Sequence, residues 1–238
     1  MQTQLHIADL DILVTHKPVK NMHLVLRPPV GDISITAPMH TSENAIRAFV
    51  ISKLSWIKKQ QRMLNEQERE TPREYIDRES HYLWGERLLL KVVEYDAAPT
   101  VLLKHKRIVL SVRKDTRTEA RADIVERWYR EQLRLAAEPL IDRWQSKIGI
   151  VLEKLYIQRM KTRWGSCNKQ NRSIRLNTDL AKKPLECMEY ILVHELMHLI
   201  ETSHNDHFVS LMDQHLPSWP HRREHLNQLP VRHADWEY

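Results

Sequence analysis

Residues 191–204 read ILVHELMHLIETSH, and this stretch decides the C-terminal half of the fold. Two histidines, His194 and His198, stand four residues apart in a segment rich in aliphatic residues. Such positions on an α-helix lie about 40° apart around the axis and one turn apart along it, so both imidazoles share a face. Glu195 lies about 100° from His194, beside that face. The stretch therefore predicts a buried helix that carries two stacked imidazoles and one carboxylate.

A third histidine, His204, follows the pair. On a continuous helix it would lie about 280° around the axis from His194 and about 15 Å further along, too far to join the pair. Residues 202–205 read TSHN, and Thr, Ser and Asn favour turns over helix interiors. We therefore expect a helix that starts near Pro184 to end near residue 202, where the chain turns back.

Three converging imidazoles are typical of a catalytic zinc site, which keeps a fourth tetrahedral position open, whereas structural zinc sites have four protein ligands. The HExxH pattern puts its glutamate where it can take a proton from water at the metal. We expect His194, His198 and His204 to bind one Zn²⁺ per chain, with Glu195 as the general base. His207 is an alternative third ligand, although it would need the chain to turn back inside the next predicted helix.

Upstream, residues 163–167 read RWGSC between two predicted strands. Two interpretations are open. The segment lines a cleft, in which Arg163 binds an anionic group and Trp164 lines a pocket. Alternatively it is a tight turn made by Gly165, with Trp164 packed beneath it and Cys167 buried. Cys167 is not expected to be a nucleophile, because water at the metal already has that role.

The rest of the chain predicts an α+β fold with a strand-rich N-terminal part. Residues 32–37 alternate apolar and polar side chains, as in a strand, and Pro28 and Pro29 break the chain before them. No internal repeat and no low-complexity linker is seen. Helices are predicted at about residues 42–65, 117–148, 184–202, 206–215 and 221–228.

These elements predict two domains, residues 1–115 and residues 116–238. The first is strand-rich with one long helix, and the second carries every candidate ligand. The boundary is placed before the helix that Thr116 and Glu119 open with the spacing of a capping box.

Composition sets the class of protein. The chain has 238 residues, of which 42% are hydrophobic and 29% charged, as in globular proteins. No apolar run is long enough to cross a membrane, and acidic residues interrupt the N-terminal segment where a secretory signal would be apolar. Two cysteines make no disulfide framework, which favours a cytoplasmic protein. The net charge of +6 keeps a nucleotide or nucleic acid open as a partner.

The string HELMHL at residues 194–199, with His204, Phe208 and the RWGSC segment, resembles the YgjP-like metallopeptidases, relatives of the SprT-type zinc proteases. Asn177 also stands where that family has a strand end. The resemblance implies a zincin-like catalytic fold, zinc on the three histidines and Glu195 as general base.

Two positions depart from the family pattern. Thr178 and Val209 stand where that family frequently has tryptophan, which affects packing or a cleft wall and leaves the ligands unchanged.

Three functions compete at this stage. The leading hypothesis is hydrolysis of a peptide or protein, with Arg163 or His207 stabilising the oxyanion. The second keeps the metal site but attacks the phosphoanhydride of a nucleoside triphosphate, with Arg163 binding phosphate. The third is a nucleic-acid or protein-binding module with a structural metal, against which the open coordination position argues.

Overall fold

A computed structural model describes residues 2–27, 31–66 and 69–231 of the chain. The predicted break at Pro28 and Pro29 lies outside these residues. The chain divides into two compact units between Arg69 and Glu70. Each unit mixes strands with helices, so the α+β prediction is confirmed. None of the helices in the described residues is both long enough and apolar enough to span a membrane.

The first unit is a four-stranded sheet followed by one helix. The strands have the order β1-β2-β4-β3, in which β2 and β4 are parallel and the other neighbours antiparallel. Alternating aliphatic side chains of the strands form a buried core with apolar side chains of the helix. The elements are β1 (Gln2–Ile7), β2 (Leu10–Lys17), β3 (His23–Arg27), β4 (Asp32–Pro38) and α1 (Glu43–Glu66).

The second unit contains two sheets and four α-helices. The first sheet has the order β5-β6-β8-β7 and the second has the order β10-β11-β9, in which β10 is an edge strand. A 3₁₀ helix, Thr178–Lys182, leads from β11 into α3. The other elements are β5 (Ser80–Leu83), β6 (Glu86–Glu94), β7 (Thr100–Lys104), β8 (Arg107–Val112), α2 (Thr118–Ile148), β9 (Lys154–Gln158), β10 (Gly165–Asn168), β11 (Ser173–Asn177), α3 (Leu185–Met197), α4 (Asp206–His215) and α5 (Trp219–Gln228).

The chain repeats one topology without repeating its sequence. In β1–β4 and again in β5–β8, two antiparallel hairpins join through a central parallel pair, and a long helix follows. Both opening hairpins turn through a residue with positive φ, Ala8 at 56° and Trp84 at 53°. No internal repeat is seen in the sequence, so the likeness between the two copies is one of topology.

The division between units differs from the expected boundary near residue 115. The sheet β5–β8 buries its apolar face against α2, and both contribute to the core of the second unit. Leu90 and Ile108 of the sheet and Leu133 of α2 are at most 1% exposed in this core. A cut near residue 115 would therefore separate the two halves of one core.

Two local predictions are also corrected. Helix α2 has Arg117 as its N-cap without a side-chain cap, because the Thr116 hydroxyl donates to the Arg113 carbonyl instead (2.6 Å). Residues 165–168 form strand β10 and not a tight turn, since they pair with β11 from Gly165 opposite Leu176 onward.

A buried ionic cluster ties the start of the second unit to the approach of α3. The Glu70 carboxylate lies 3.2 Å from Lys182 Nζ and 3.5 Å from Lys183 Nζ, and Lys182 Nζ also lies 2.9 Å from Asp179. All four side chains are less than 10% exposed. Burial disfavours ionisation of Glu70, but the two ammonium groups outweigh it and hold the pKa of Glu70 below its usual range. Lys183 also donates to the Pro230 carbonyl.

We expect Glu70→Gln to lower the free energy of unfolding by about 3 kcal/mol, because it leaves buried ammonium groups without their shared carboxylate. Urea unfolding followed by circular dichroism at neutral pH measures the change. The lowered pKa means that Glu70 stabilises the fold above its unfolded pKa of about 4.3. That stabilisation is lost as the pH falls through the folded pKa, so the difference between wild type and Glu70→Gln should shrink in acid.

The matched control is Asp96→Asn, which breaks an ion pair with Arg113 whose side chains are 97% and 68% exposed. Exposed pairs contribute about 1 kcal/mol or less, so this change should be small. Equal losses in the two variants would contradict a stabilising role for the buried cluster.

Candidate metal centre

Helix α3 presents the first two histidines and ends immediately afterwards. His194 lies in its last turn, and the helix ends at Met197, five positions earlier than the predicted end near residue 202. His198 is the first residue beyond it. The helix tightens there, since Leu199 N donates to Leu196 O (3.0 Å) and Ile200 N to Met197 O (2.9 Å). These shorter turns start the return of the chain before the TSHN stretch.

The loop after α3 brings His204 back to the pair. Glu201 organises this loop, because its carboxylate accepts from Ser203 N (3.0 Å) and its carbonyl lies 2.9 Å from His198 Nδ1. Asn205 then caps α4 by accepting from the Phe208 amide (3.0 Å). His204 Nε2 lies 3.0 Å from His194 Nε2 and 3.2 Å from His198 Nε2.

The three nitrogens fit a tetrahedral metal ion. A Zn–N bond of about 2.0–2.1 Å implies neighbouring ligand nitrogens about 3.3 Å apart, close to the distances between these Nε2 atoms. With His198 Nδ1 donating to the Glu201 carbonyl, the Nε2 atom is left with a free lone pair. Burial, and after it the imidazoles of His198 and His204, lowers the pKa of His194 to about 3. His194 is therefore neutral, which is the form that binds metals.

Phe208 is the common support of the three imidazoles. Its ring centroid lies 5.0 Å from that of His194, 4.7 Å from His198 and 4.9 Å from His204. The ring is only 4% exposed, so it is fixed by the surrounding core. The sequence places Phe208 on the first turn of α4, but its spacing does not reveal a contact with all three histidines.

Glu195 lies beside the histidines in a tight enclosure. Its side chain is buried, and burial raises its pKa to about 8 although the Arg163 guanidinium opposes the shift. Strand β10 passes so close that a Cβ added at Gly165 would lie 2.6 Å from Glu195 Oε1. Gly165 is therefore required because the carboxylate occupies the space of a side chain, and not to make a turn.

A cleft of about 440 Å³ opens above these groups. Arg163 lies at its wall, as one of the two sequence-based interpretations expected. Lys169 bounds another side and donates to the Ile200 carbonyl (2.7 Å), which links the β10–β11 turn to the end of α3. Sequence reasoning did not single out Lys169, Ser166 or Thr202. The lining residues are Arg163, Gly165, Ser166, Cys167, Lys169, His194, Glu195, His198, Thr202 and His204.

Cys167 lines the cleft as a thiol. Burial, and after it the Glu195 carboxylate, raises its pKa to about 11. A neutral thiol is a weak nucleophile, in agreement with the expectation from sequence.

Trp164 and His207 are not brought to the cleft. Trp164 is half-buried and packs against the core of the unit. His207 is exposed on the first turn of α4, with Nδ1 3.5 Å from Glu201 Oε2. The chain turns back early enough for His204 to reach His194 and His198. His207 is therefore left facing Glu201 in the loop after α3.

Asn177 holds the loop that carries Arg163. Its side-chain amide donates to the carbonyls of Met160 and Arg163, both at 2.9 Å, and its backbone amide donates to the Trp164 carbonyl. Asn177 is 5% exposed. Its place at the end of β11 was visible in the sequence, but its role in shaping this loop was not.

A second group of possible ligands lies off the cleft. Glu186, Cys187 and His225 offer donor atoms within 4.8 Å of one another. His225 Nδ1 is already paired with Glu186 (2.9 Å), and the cation of Arg222 acts on Cys187. The three histidines have no such competing ion pair among the described residues.

A family model described as YgjP-like, metallopeptidase domain, matches residues 22–229. The chain belongs to the YgjP-like metallopeptidase family. The resemblance seen in the sequence is thereby confirmed.

Comparison with solved structures matched the crystal structure of the metallopeptidase zymogen of Methanocaldococcus jannaschii jannalysin. That match has 19% identity and a TM-score of 0.31, and covers 42% of this chain and 94% of the other. A likeness at this level supports no conclusion about the present chain. Comparison with curated proteins found no match.

For this YgjP-like chain we expect Phe208→Ala to weaken zinc binding by about 10–100-fold, the range found when groups that orient ligands are removed. Competition with a chromophoric chelator measures the affinity. Met212→Ala is the control, because Met212 is also buried on α4 but has no aromatic ring to pack against the imidazoles. Equal affinities in the two variants would show that Phe208 does not position the ligands.

We expect Gly165→Ala to lower turnover by about 10²-fold while zinc content is unchanged. The added Cβ would push the Glu195 carboxylate out of its present position, and small displacements of a reacting group cost about this much in rate. The control is Gly149→Ala, at a position with φ of 77° and no atom within 4 Å of the new Cβ, which should affect stability only. Full activity of Gly165→Ala would mean that the carboxylate position is not critical.

Proposed function

We propose that the chain is a zinc-dependent peptidase in which His194, His198 and His204 hold one Zn²⁺ and Glu195 is the general base. The observation that carries the proposal is the convergence of three imidazole nitrogens beside a buried carboxylate in an open cleft. Three protein ligands leave a coordination position free for chemistry, which is the arrangement of catalytic zinc sites.

The reaction follows from the positions of these residues. Zinc, when bound, supplies a Lewis acid that polarises the scissile carbonyl and makes water easier to deprotonate. A cation bound beside Glu195 would oppose the effect of burial on its pKa and favour the carboxylate. In that form Glu195 accepts a proton from the attacking water and then passes it to the leaving amine. Its enclosure by Gly165 fixes the carboxylate in one place, so little reorganisation is needed for either transfer. Arg163, at the cleft wall, is positioned to stabilise an anionic oxygen.

The edge strand gives the substrate a place to bind. Strand β10 pairs with β11 on one side only and lines the cleft along Gly165, Ser166 and Cys167. An extended peptide would add to this edge by main-chain hydrogen bonds, with its carbonyls directed along the cleft. The partner we propose is accordingly a peptide or protein. A cytoplasmic location remains a prediction, based on the unpaired Cys167 and Cys187.

A second candidate keeps the metal site and changes the substrate. Arg163 and Lys169 put two cations in the same cleft, and these would bind the phosphates of a nucleoside triphosphate. Assays of casein and of a panel of nucleoside triphosphates with the same zinc-loaded preparation separate the two. Release of pyrophosphate or phosphate without casein cleavage would replace the peptidase proposal with the phosphoanhydride alternative.

We expect Glu195→Gln to lower hydrolysis by about 10²–10⁴-fold while zinc content stays near one per chain, since it removes a base and leaves the ligands. His204→Ala should weaken zinc binding, because two nitrogens remain. Metal analysis after dialysis, together with the hydrolase assay, measures both effects. Loss of zinc from Glu195→Gln, with full zinc and activity in His204→Ala, would reverse the two assignments.

A further inference from the structure

The outer face of the sheet β5–β8 carries a second cavity, away from the metal centre. It has a volume of about 780 Å³, and aliphatic side chains lie among cationic ones in its wall. Leu89 and Val109 are its aliphatic lining residues, and the cations include Lys91, Lys104, Lys106 and Arg107. None of these residues takes part in the proposed reaction.

Strand register places like charges side by side on this face. Lys104 of β7 lies directly opposite Arg107 of β8, with His105 and Lys106 between them in the turn. Like charges opposite one another destabilise a sheet. Lys91 has a counter-ion in Asp77 (3.3 Å), but among the described residues Lys104, Lys106 and Arg107 form no ion pair. The arrangement therefore costs stability, and an anionic ligand would relieve that cost.

The first unit is an internal control for this observation. Its sheet has the same topology, and the outward positions of its central strands β2 and β4 carry Asp11, Leu13, Thr15, Lys17, Asp32, Ser34, Thr36 and Pro38. The single cation among these positions, Lys17, is outnumbered by two carboxylates. A solvent-facing sheet of this topology is thus built without a net positive surface, so the charge on β6–β8 is not a requirement of the fold.

The chemistry of the cavity selects the kind of anion. Proteins that bind single-stranded nucleic acids stack bases on aromatic side chains. The lining of this cavity contains no Phe, Tyr or Trp; its one aromatic ring is His105, and Leu89 and Val109 supply an aliphatic surface. Leucine and valine surrounded by lysine and arginine match a polypeptide segment in which aliphatic residues alternate with aspartate or glutamate.

We propose that this face docks acidic, aliphatic-rich polypeptide segments, and thereby favours proteins that carry them as substrates of the metal centre. The claim that the docked protein is a substrate rests on the proposed peptidase function, whereas the claim of binding does not. Docking outside the cleft raises the local concentration of a cleavable segment near Glu195 without contacting the reacting atoms.

Binding is measured by fluorescence anisotropy with a labelled peptide of Glu, Leu and Ser, using Glu195→Gln protein so that no turnover occurs. The wild-type face should bind it in a salt-dependent way. Lys104→Glu with Arg107→Glu should raise the Kd roughly tenfold or more. The control, Lys53→Glu with Lys59→Glu on α1, makes the same change in net charge on exposed residues of the first unit and should leave the Kd unchanged.

Two further probes decide the ligand class: the same peptide with Lys in place of Glu, and a labelled oligothymidylate of equal length. Binding only of the acidic peptide supports the proposal. Tighter binding of oligothymidylate, or an unchanged Kd in the Lys104/Arg107 variant with its melting curve intact, overturns it.

A cleavage assay on active protein tests the substrate claim separately. Lys104→Glu with Arg107→Glu should raise KM for a protein bearing the acidic segment and leave kcat unchanged. If no peptide is cleaved at all, the proposed function fails while the anisotropy result still decides docking.

Discussion

The candidate metal centre depends on holding His204 Nε2 3.0 Å from His194 Nε2 and 3.2 Å from His198 Nε2. Burial, and after it the imidazole of His198, lowers the pKa of both His194 and His204, so the cluster disfavours protonation of these two rings. The protein keeps them there by packing, with the Phe208 ring beneath all three and the Glu201 carbonyl fixing one tautomer. The Zn²⁺ that we propose for this site would offset the cost of holding the three rings together.

The second constraint is the separation of the base from the ligands. Glu195 is adjacent to His194 in sequence, but β10 confines its carboxylate on one side while the imidazoles are supported from the other. Asn177 and Lys169 then fix the two ends of the cleft by hydrogen bonds to main-chain carbonyls. The elements that position the three histidines are therefore distinct from the strand that confines Glu195, although His194 and Glu195 are consecutive.

Sequence reasoning reached the histidines and Glu195 because helical spacing is a local property, and the turn residues after them implied a return of the chain. It missed the structural role of Gly165, because the clash that excludes a Cβ comes from a residue 30 positions later. The contacts of Phe208 and Asn177 were likewise long-range. The boundary expected near residue 115 differs from the division between the two units for the same reason. The start of α2 can be seen in the local sequence, whereas the packing of β5–β8 against α2 is a long-range contact.

The ionic cluster around Glu70 determines where the chain can be divided without leaving buried charges unpaired. All the partners of Glu70 lie in the second unit, in the approach to α3 that carries the histidines. A gene fusion that began at α2 would inherit the histidines together with two buried ammonium groups and no shared carboxylate. A fusion that began at Glu70 would keep the charge balance intact, along with the second copy of the repeated topology. The point at which the second unit can be separated without unpaired buried charge is thus set by electrostatics in its interior.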